Sequence, residues 1–113
     1  MGKFDLKERT LSFAERILNI CEQLPHTIEC NVIRKQLIKS GTSIGANVEE
    51  ADGSESKADT AHKLGIARKE ARETRYWLTL ISRKYLGSEV VSDTINESSE
   101  FIKIFSTIIN KLK

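Results

Sequence analysis

Two histidines and two cysteines are the side chains in this chain that most often bind metals or take part in catalysis. His62 follows Asp59 by three residues, the spacing that puts a carboxylate and an imidazole on one face of a helix. A di-iron helical bundle uses two such motifs, based on glutamate, together with two further inward carboxylates. His26 has no partner for a catalytic triad, and the sequence contains no P-loop, dinucleotide fingerprint, HExxH motif or cysteine-rich metal motif. The sequence therefore predicts no catalytic residue, no metal site, no cofactor and no enzymatic activity.

Length and composition indicate a single globular domain that spans residues 1–113. Charged residues make up 30% and hydrophobic residues 39% of the chain, a balance typical of soluble domains. No apolar run approaches the roughly 20 residues of a membrane span, and no signal-peptide pattern follows the start. We therefore expect a cytoplasmic protein, with Cys21 and Cys30 as free thiols in the core.

Apolar residues recur at spacings of three and four in four segments, which predicts four helices. The segments cover residues 5–24, 28–52, about 57–85 and about 89–112, and Ser56 with Asp59 forms a capping-box-like start for the third. No segment alternates with period two, so the fold class is all-α, an antiparallel up-and-down four-helix bundle. The predicted core stripes are Leu11, Ala14, Ile17, Leu18 and Cys21; Ile33, Leu37, Ile44, Val48 and Ala51; Leu64, Ala67, Ala71, Thr74, Leu78 and Ile81; and Val91, Ile95, Ile102, Phe105, Ile109 and Leu112.

A polar seam runs along one flank of the second helix, in steps of four, three, four and three residues. One interpretation is a groove for a small ligand, a metal or protons. The other is a partly buried seam that hydrogen-bonds a neighbouring helix and fixes its register, a role in which Ser, Gln and Asn recur. The residues of the polar seam are Gln36, Ser40, Ser43, Asn47 and Glu50.

The third helix carries most of the excess positive charge. Residues 57–85 contain eight Lys or Arg against three acids, and four of the arginines share one face. One interpretation is a surface for phosphate backbones. The alternative is that acids of other helices, Glu49 and Glu50 among them, neutralise these arginines. The candidate nucleic-acid-binding residues are Arg68, Arg72, Arg75, Arg83 and Lys84.

Small and apolar residues outside the core stripes predict close helix contacts and an oligomer. Gly41 and Gly45 are four residues apart on the flank opposite the polar seam, where missing side chains let another backbone approach. Ile66, Trp77 and Leu80 form a second apolar face on the third helix, away from its core stripe. We assign these five residues to an oligomer interface.

The stretch QLIKSGTSIGANVEEA, residues 36–51, resembles the signature of the four-helix-bundle proteins encoded in intervening sequences of bacterial 23S rRNA genes. Residues 63–78, KLGIARKEARETRYWL, resemble the second block of that family, and FAERI followed by LP resembles its opening. Two departures are mild, since Lys39 replaces the usual arginine and Gly41 stands where alanine is common. The positions that match the first block are Gln36, Leu37, Ser40, Thr42, Ser43, Ile44, Ala46, Asn47, Val48, Glu50 and Ala51.

This resemblance implies a bundle that assembles as a homopentamer around a central channel, in a family of unknown function. It also implies a relation to accessory proteins of diversity-generating retroelements, which form basic pentamers that bind nucleic acid. Our leading hypothesis is a homo-oligomer that binds structured RNA, or DNA, through the basic third helix by repeated weak phosphate contacts. The alternative is a structural module whose partner is another protein, with no nucleic-acid binding and no membrane contact.

Overall fold

The structure is a computed structural model that describes residues 3–113, with side chains from residue 5 onward. In this range the protein folds into four consecutive α-helices. The helices are α1 (Lys3–Glu22), α2 (Ile28–Asp52), α3 (Lys57–Lys84) and α4 (Glu89–Leu112), and this part of the chain contains no strand. Its dimensions of 44 × 23 × 20 Å make an elongated bundle. The predicted bounds hold for α2 and α4, while α1 ends two residues before the predicted end at residue 24.

Contacts between helices run in opposite chain directions, so neighbouring helices are antiparallel. Between α2 and α3, Glu50 forms an ion pair with Lys63, and Ser40 accepts a hydrogen bond from Thr74. Residue numbers along the contact therefore decrease in α2 as they increase in α3. Between α3 and α4 the same reversal joins Arg68 to Ser106 and Arg75 to Ser99. Such packing confirms the predicted four-helix bundle and places the arginines of α3 beside α4.

Short polar side chains fix where the helices begin. The hydroxyls of Thr27, Ser56 and Ser88 accept hydrogen bonds from backbone N–H groups at the starts of α2, α3 and α4, which would otherwise lack partners. The bond from the Asp59 N–H to Ser56 confirms the predicted start of α3. At the end of α1, Arg34 donates to the carbonyl oxygens of Cys21, at 3.0 Å, and Leu24, at 2.8 Å, which satisfies acceptors that the helix leaves open.

The predicted core stripes of α2 and α3 are confirmed, because every residue named for them is buried. The stripe of α1 is partly wrong, since Leu11 is 60% and Leu18 43% exposed, while Phe13 and Ile20 are fully buried. The helix turns the bulkier ring of Phe13 inward, where it meets Phe101 of α4 edge-to-face at 5.2 Å.

The stripe of α4 is confirmed at Val91, Phe105 and Ile109, which are buried, and its other positions are wrong for the same reason. Ile95 and Ile102 are only half-buried, while Phe101 is fully buried between the rings of Phe13 and Phe105. Burying a large aromatic ring removes more apolar area from water than burying an isoleucine, so the rings set the orientation of the helix.

The two glycines of α2 pack against α1 of the same chain. A Cβ atom on Gly41 would lie 2.8 Å from Cγ1 of Ile17, and one on Gly45 would lie 3.1 Å from Oγ1 of Thr10. The predicted close helix contact is therefore confirmed, and the assignment of Gly41 to an oligomer interface is corrected. Gly41 is buried by its own chain and serves the joint between α1 and α2, whereas Gly45 is half-buried beside Thr10 and its place in an oligomer interface stays a prediction.

Both cysteines are free and buried, as predicted. Burial raises the pKa of the Cys21 thiol to about 11, against a smaller opposing effect of Arg34. A thiol with so high a pKa is almost entirely protonated at neutral pH, which makes it a poor nucleophile.

Candidate nucleic-acid interface

Three arginines of α3 lie along its contact with α4. Arg68 donates from Nη1 to the Ser106 hydroxyl at 3.1 Å, and Arg75 donates from Nη1 to the Ser99 hydroxyl at 3.2 Å. Each of these guanidinium groups keeps its remaining N–H donors for another acceptor. Arg72 is exposed and lies one helical turn from both, so the three cations occupy one surface.

The acids that could neutralise these arginines are paired elsewhere in the described part of the chain. Glu49 lies 3.5 Å from Lys7 of α1, and Glu50 lies 3.0 Å from Lys63. Proposing these two acids as partners of the arginines was therefore wrong. None of the ion pairs between residues 5 and 113 includes an arginine of α3.

Two acids of α4 pair with arginines of α1. Glu97 accepts from Arg9 at 2.7 Å and lies 3.7 Å from Arg16, while Glu100 lies 3.4 Å from Arg9. Glu97 and Glu100 thus lie toward α1, whereas Ser99 and Ser106 contact α3.

Sequence reasoning missed the contribution of α4 to this surface. Lys103 is exposed and lies one turn from both Ser99 and Ser106, the two serines that contact the arginines. The spacing of Lys103 from Ser99 and Ser106, four and three residues, is visible in the sequence and indicates one helical face. Only the orientation of α4 in the bundle shows that this face lies beside the arginines of α3. We define the arginine face as Arg68, Arg72, Arg75, Ser99, Lys103 and Ser106.

The two remaining predicted cations lie apart from the centre of the arginine face. Arg83 is exposed near the end of α3, about three turns beyond Arg72. Lys84 approaches Glu29 of α2: the pKa of that carboxyl is lowered by its backbone hydrogen bond, by the Thr27 hydroxyl and, more weakly, by the charge of Lys84. The structure therefore brings Arg68, Arg72 and Arg75 together and places Lys84 on another flank.

A model of the family described as 23S rRNA-intervening sequence protein matches residues 3–107. This chain belongs to that family. Its fold is similar to a crystal structure from Bacteroides thetaiotaomicron VPI-5482, described as a protein with unknown function from the S23 ribosomal protein family. The two chains are 42% identical, with a TM-score of 0.87 over 97% of this chain and 99% of the other. A search among curated proteins finds no match. The resemblance predicted from the sequence is thus confirmed at the level of the family.

The polar seam of this 23S rRNA-intervening sequence protein faces α3. Ser40 is fully buried and accepts a 2.9 Å hydrogen bond from Thr74, and Glu50 pairs with Lys63. Ser43 and Asn47 donate to backbone carbonyl oxygens of their own helix, at 2.6 and 2.8 Å. Gln36 is half-buried. These contacts support the structural interpretation of the seam at Ser40 and Glu50.

Two cavities lie away from the polar seam. One of about 490 Å³ opens at an end of the bundle, lined mainly by apolar side chains such as Leu6, Leu64 and Ile108. The other, of about 790 Å³, is a groove over the joint between α1 and α2, where Leu11 and Gly45 are among the lining residues. No residue of the seam lines either cavity.

The apolar residues assigned to an oligomer interface on α3 are all half-buried. Trp77 and Leu80 pack against the core, and Trp77 donates from Nε1 to Glu73 at 3.2 Å; Ile66 lies on the same flank. A second apolar surface lies on α1 and is not predicted from the sequence, because the predicted core stripe of α1 includes Leu11 and Leu18, which are exposed.

Residues 3–113 contain neither a cluster of metal ligands nor a helix suited to a membrane. No group of three or more His, Cys, Asp or Glu side chains in this range is placed to hold a metal ion, and His62 is exposed. None of the four described helices combines the length and apolar character that crossing a membrane requires.

Proposed function

We propose that this 23S rRNA-intervening sequence protein binds RNA through the arginine face. The observation that carries the proposal is that Arg68, Arg72 and Arg75 lie together without an acidic partner in the described chain. Unpaired cations on one surface attract a polyanion, and guanidinium groups fit phosphate oxygens through paired N–H donors. The description of the family, 23S rRNA-intervening sequence protein, favours RNA among polyanions by association.

The serines of α4 would make this surface better prepared for phosphate. Ser99 and Ser106 each accept one N–H from an arginine, which restrains long side chains that would otherwise lose rotamer freedom on binding. Arg72 and Lys103 remain exposed between them and are free to follow the backbone. Such contacts position a nucleic acid without reading its sequence.

We also propose a homo-oligomer, with the pentamer implied by family resemblance as its form. A ring needs two different surfaces on each subunit, because one patch must contact another patch on the next copy. The groove beside Leu11 and Gly45 and the face of Ile66, Trp77 and Leu80 are two apolar candidates on different helices. Symmetry would then repeat the arginine face, so several weak phosphate contacts would act together.

The test is fluorescence anisotropy of a labelled RNA, titrated at about 50 and about 200 mM salt. We expect affinity to fall by orders of magnitude from the lower to the higher salt concentration. Binding releases cations from the phosphates, and this release is less favourable when the surrounding solution already contains more salt. Arg72→Glu should weaken binding by about tenfold or more and reduce the salt slope by about one. Lys35→Glu, an exposed charge reversal on α2, is the matched control and should change binding much less.

Absence of binding at low salt would contradict the proposal, as would equal effects of the Arg72 and Lys35 reversals. Either result would favour the alternative, a module whose partner is another protein. Multi-angle light scattering measures the oligomer separately: Leu18→Glu places a charge on the α1 surface and should lower the subunit number if that surface is a contact.

A further inference from the structure

We propose that the arginine face holds an unpaired segment of RNA, such as a single strand or a loop of a structured RNA, and that Tyr76 is the platform on which an unpaired base stacks. The inference rests on the proposed function and adds the class of RNA to it. It starts from an aromatic side chain that is 62% exposed within the basic surface of α3.

Tyr76 belongs to a column of cationic and polar residues on α3. The column advances by three, four, three and four residues, the spacing of one helical face. Arg72 lies one turn before the ring, and Arg83 lies two turns after it. The members of the column are Lys69, Arg72, Tyr76, Thr79 and Arg83, and it contains no acid.

The ring of Tyr76 is held in place by its neighbour. Trp77 packs against the hydrophobic core and meets Tyr76 edge-to-face, with 5.1 Å between ring centres and 77° between ring planes. The indole N–H of Trp77 donates to Glu73 at 3.2 Å, which fixes the supporting ring in turn. An aromatic ring held in this way loses little conformational freedom when a flat ligand stacks on it.

The two adjacent aromatic residues differ in what they do for the fold. Trp77 is half-buried and contributes to the core, whereas Tyr76 is exposed and is not among the residues packed against it. An exposed ring flanked by cations has the composition of a site for single-stranded nucleic acid, in which arginine or lysine follows the backbone and an aromatic face takes a base.

A duplex cannot use this ring in the same way, because its bases are already stacked on one another. An unpaired base presents its flat face without first being pulled from a helix. The arginine face would bind phosphates of either form, so stacking on Tyr76 is the step that would discriminate single strands from duplexes. Every base has such a face, so this contact carries little sequence preference.

The experiment compares an unstructured RNA of about 12 nucleotides, within the usual range of single-strand site sizes, with a blunt-ended duplex of equal charge. We expect the full chain to bind the single strand more tightly than the duplex. Tyr76→Ala should weaken single-strand binding by about 5- to 150-fold and change duplex binding little, while Tyr76→Phe, which keeps the ring, should retain most of the affinity. A 2-aminopurine base in the single strand should lose fluorescence on binding, since stacking quenches it.

The outcomes separate this inference from the proposed function. If Arg72→Glu weakens binding but Tyr76→Ala does not, the arginine face stands and stacking on Tyr76 is wrong. If no RNA binds at low salt, both fail. Light scattering shows whether Tyr76→Ala changes the subunit number. If it does, the wild-type protein and Tyr76→Phe are compared instead. Absence of 2-aminopurine quenching with these two proteins would overturn the inference.

Discussion

The hydroxyl of Thr74 on α3 donates a 2.9 Å hydrogen bond to the hydroxyl of Ser40 on α2, and both residues are fully buried. Ser40 also lies 3.4 Å from the carbonyl oxygen of Leu37, and Thr74 lies 2.7 Å from that of Glu70. A shift of one helix along the other would place each hydroxyl against an apolar side chain. The pair therefore fixes the register of the longest two helices, which in turn places the arginines of α3.

Removing this hydrogen bond should lower stability modestly and non-additively. We expect Ser40→Ala and Thr74→Val each to reduce the free energy of unfolding by about 1 kcal/mol, the usual net value of one such bond. In the double variant the loss should be smaller than the sum, because neither hydroxyl is left without its partner. Urea denaturation of the four proteins measures the coupling, and strict additivity would contradict a direct interaction.

The contact of Gly41 with Ile17 predicts that Gly41→Ala and Gly65→Ala have opposite effects on stability. Alanine normally stabilises a helix by about 1 kcal/mol relative to glycine. At Gly41 the added methyl group would lie 2.8 Å from Cγ1 of Ile17, so we expect a net loss of about 1–3 kcal/mol from overpacking.

Gly65 is the matched control, because a Cβ atom there meets nothing within 4 Å and the residue lies inside α3. Gly65→Ala should therefore raise the thermal midpoint while Gly41→Ala lowers it. A Gly41→Ala protein as stable as the Gly65→Ala protein would show that α1 can move away from α2 at almost no cost, because both would then show the full helix gain of alanine.

The sequence predicted α2 and α3 well because their apolar residues occupy one narrow stripe each. On α1, apolar residues cover a wider arc, and periodicity alone could not choose between Leu18 and Phe13 as the inward residue. The choice depends on Phe101, which is 88 positions away from Phe13 and meets it only in the folded bundle. Long-range packing of this kind leaves no local signal.

Candidate site residues were predictable as a charge pattern but not as a surface. The excess of Lys and Arg on α3 was visible in the sequence, whereas the partners of Glu49 and Glu50 depended on which helices became neighbours. In the sequence, Ser99 and Ser106 do not differ from other polar residues of α4. Their role follows only from the hydrogen bonds that they accept from Arg75 and Arg68 in the folded bundle.

Glu97 joins α1 to α4 and should be more important for stability than its neighbour Glu100. It accepts from Arg9 at 2.7 and 3.3 Å, also lies near Arg16, and its side chain is 16% exposed, whereas the Glu100 side chain is 62% exposed. We expect Glu97→Gln to reduce the free energy of unfolding by about 1–2 kcal/mol, and Glu100→Gln by less than about 0.5 kcal/mol.

Salt provides a second readout of the same pair of variants. Screening should shrink the deficit of Glu97→Gln as salt is raised, though incompletely because the ion pairs are partly buried. Denaturant melts of both variants at low and high salt would test this, and equal losses for Glu97→Gln and Glu100→Gln would argue against a special role for Glu97.

Glu70 of α3 makes the stability of the bundle depend on pH, and the direction of its pKa shift fixes the sign of that dependence. Burial raises the pKa of its carboxyl and repulsion from Glu73 adds to this, against weaker opposing effects of Lys69 and Lys39. The folded state therefore holds this proton more tightly than the unfolded state, so stability falls as pH rises from the unfolded pKa of about 4.3 through the higher folded value.

Above the raised folded pKa the carboxylate is charged in both states, and the cost of its partial burial is then fully present. We expect Glu70→Gln to be more stable than the wild type at pH 7, and the advantage to vanish near pH 3.5, below the unfolded pKa of about 4.3, where both states of the wild type are protonated. Urea denaturation at the two pH values measures the difference, with Glu15→Gln, an exposed carboxylate on α1, as the comparison. A Glu70→Gln protein less stable than the wild type at pH 7 would mean that attraction to Lys39 and Lys69 outweighs the cost of burial.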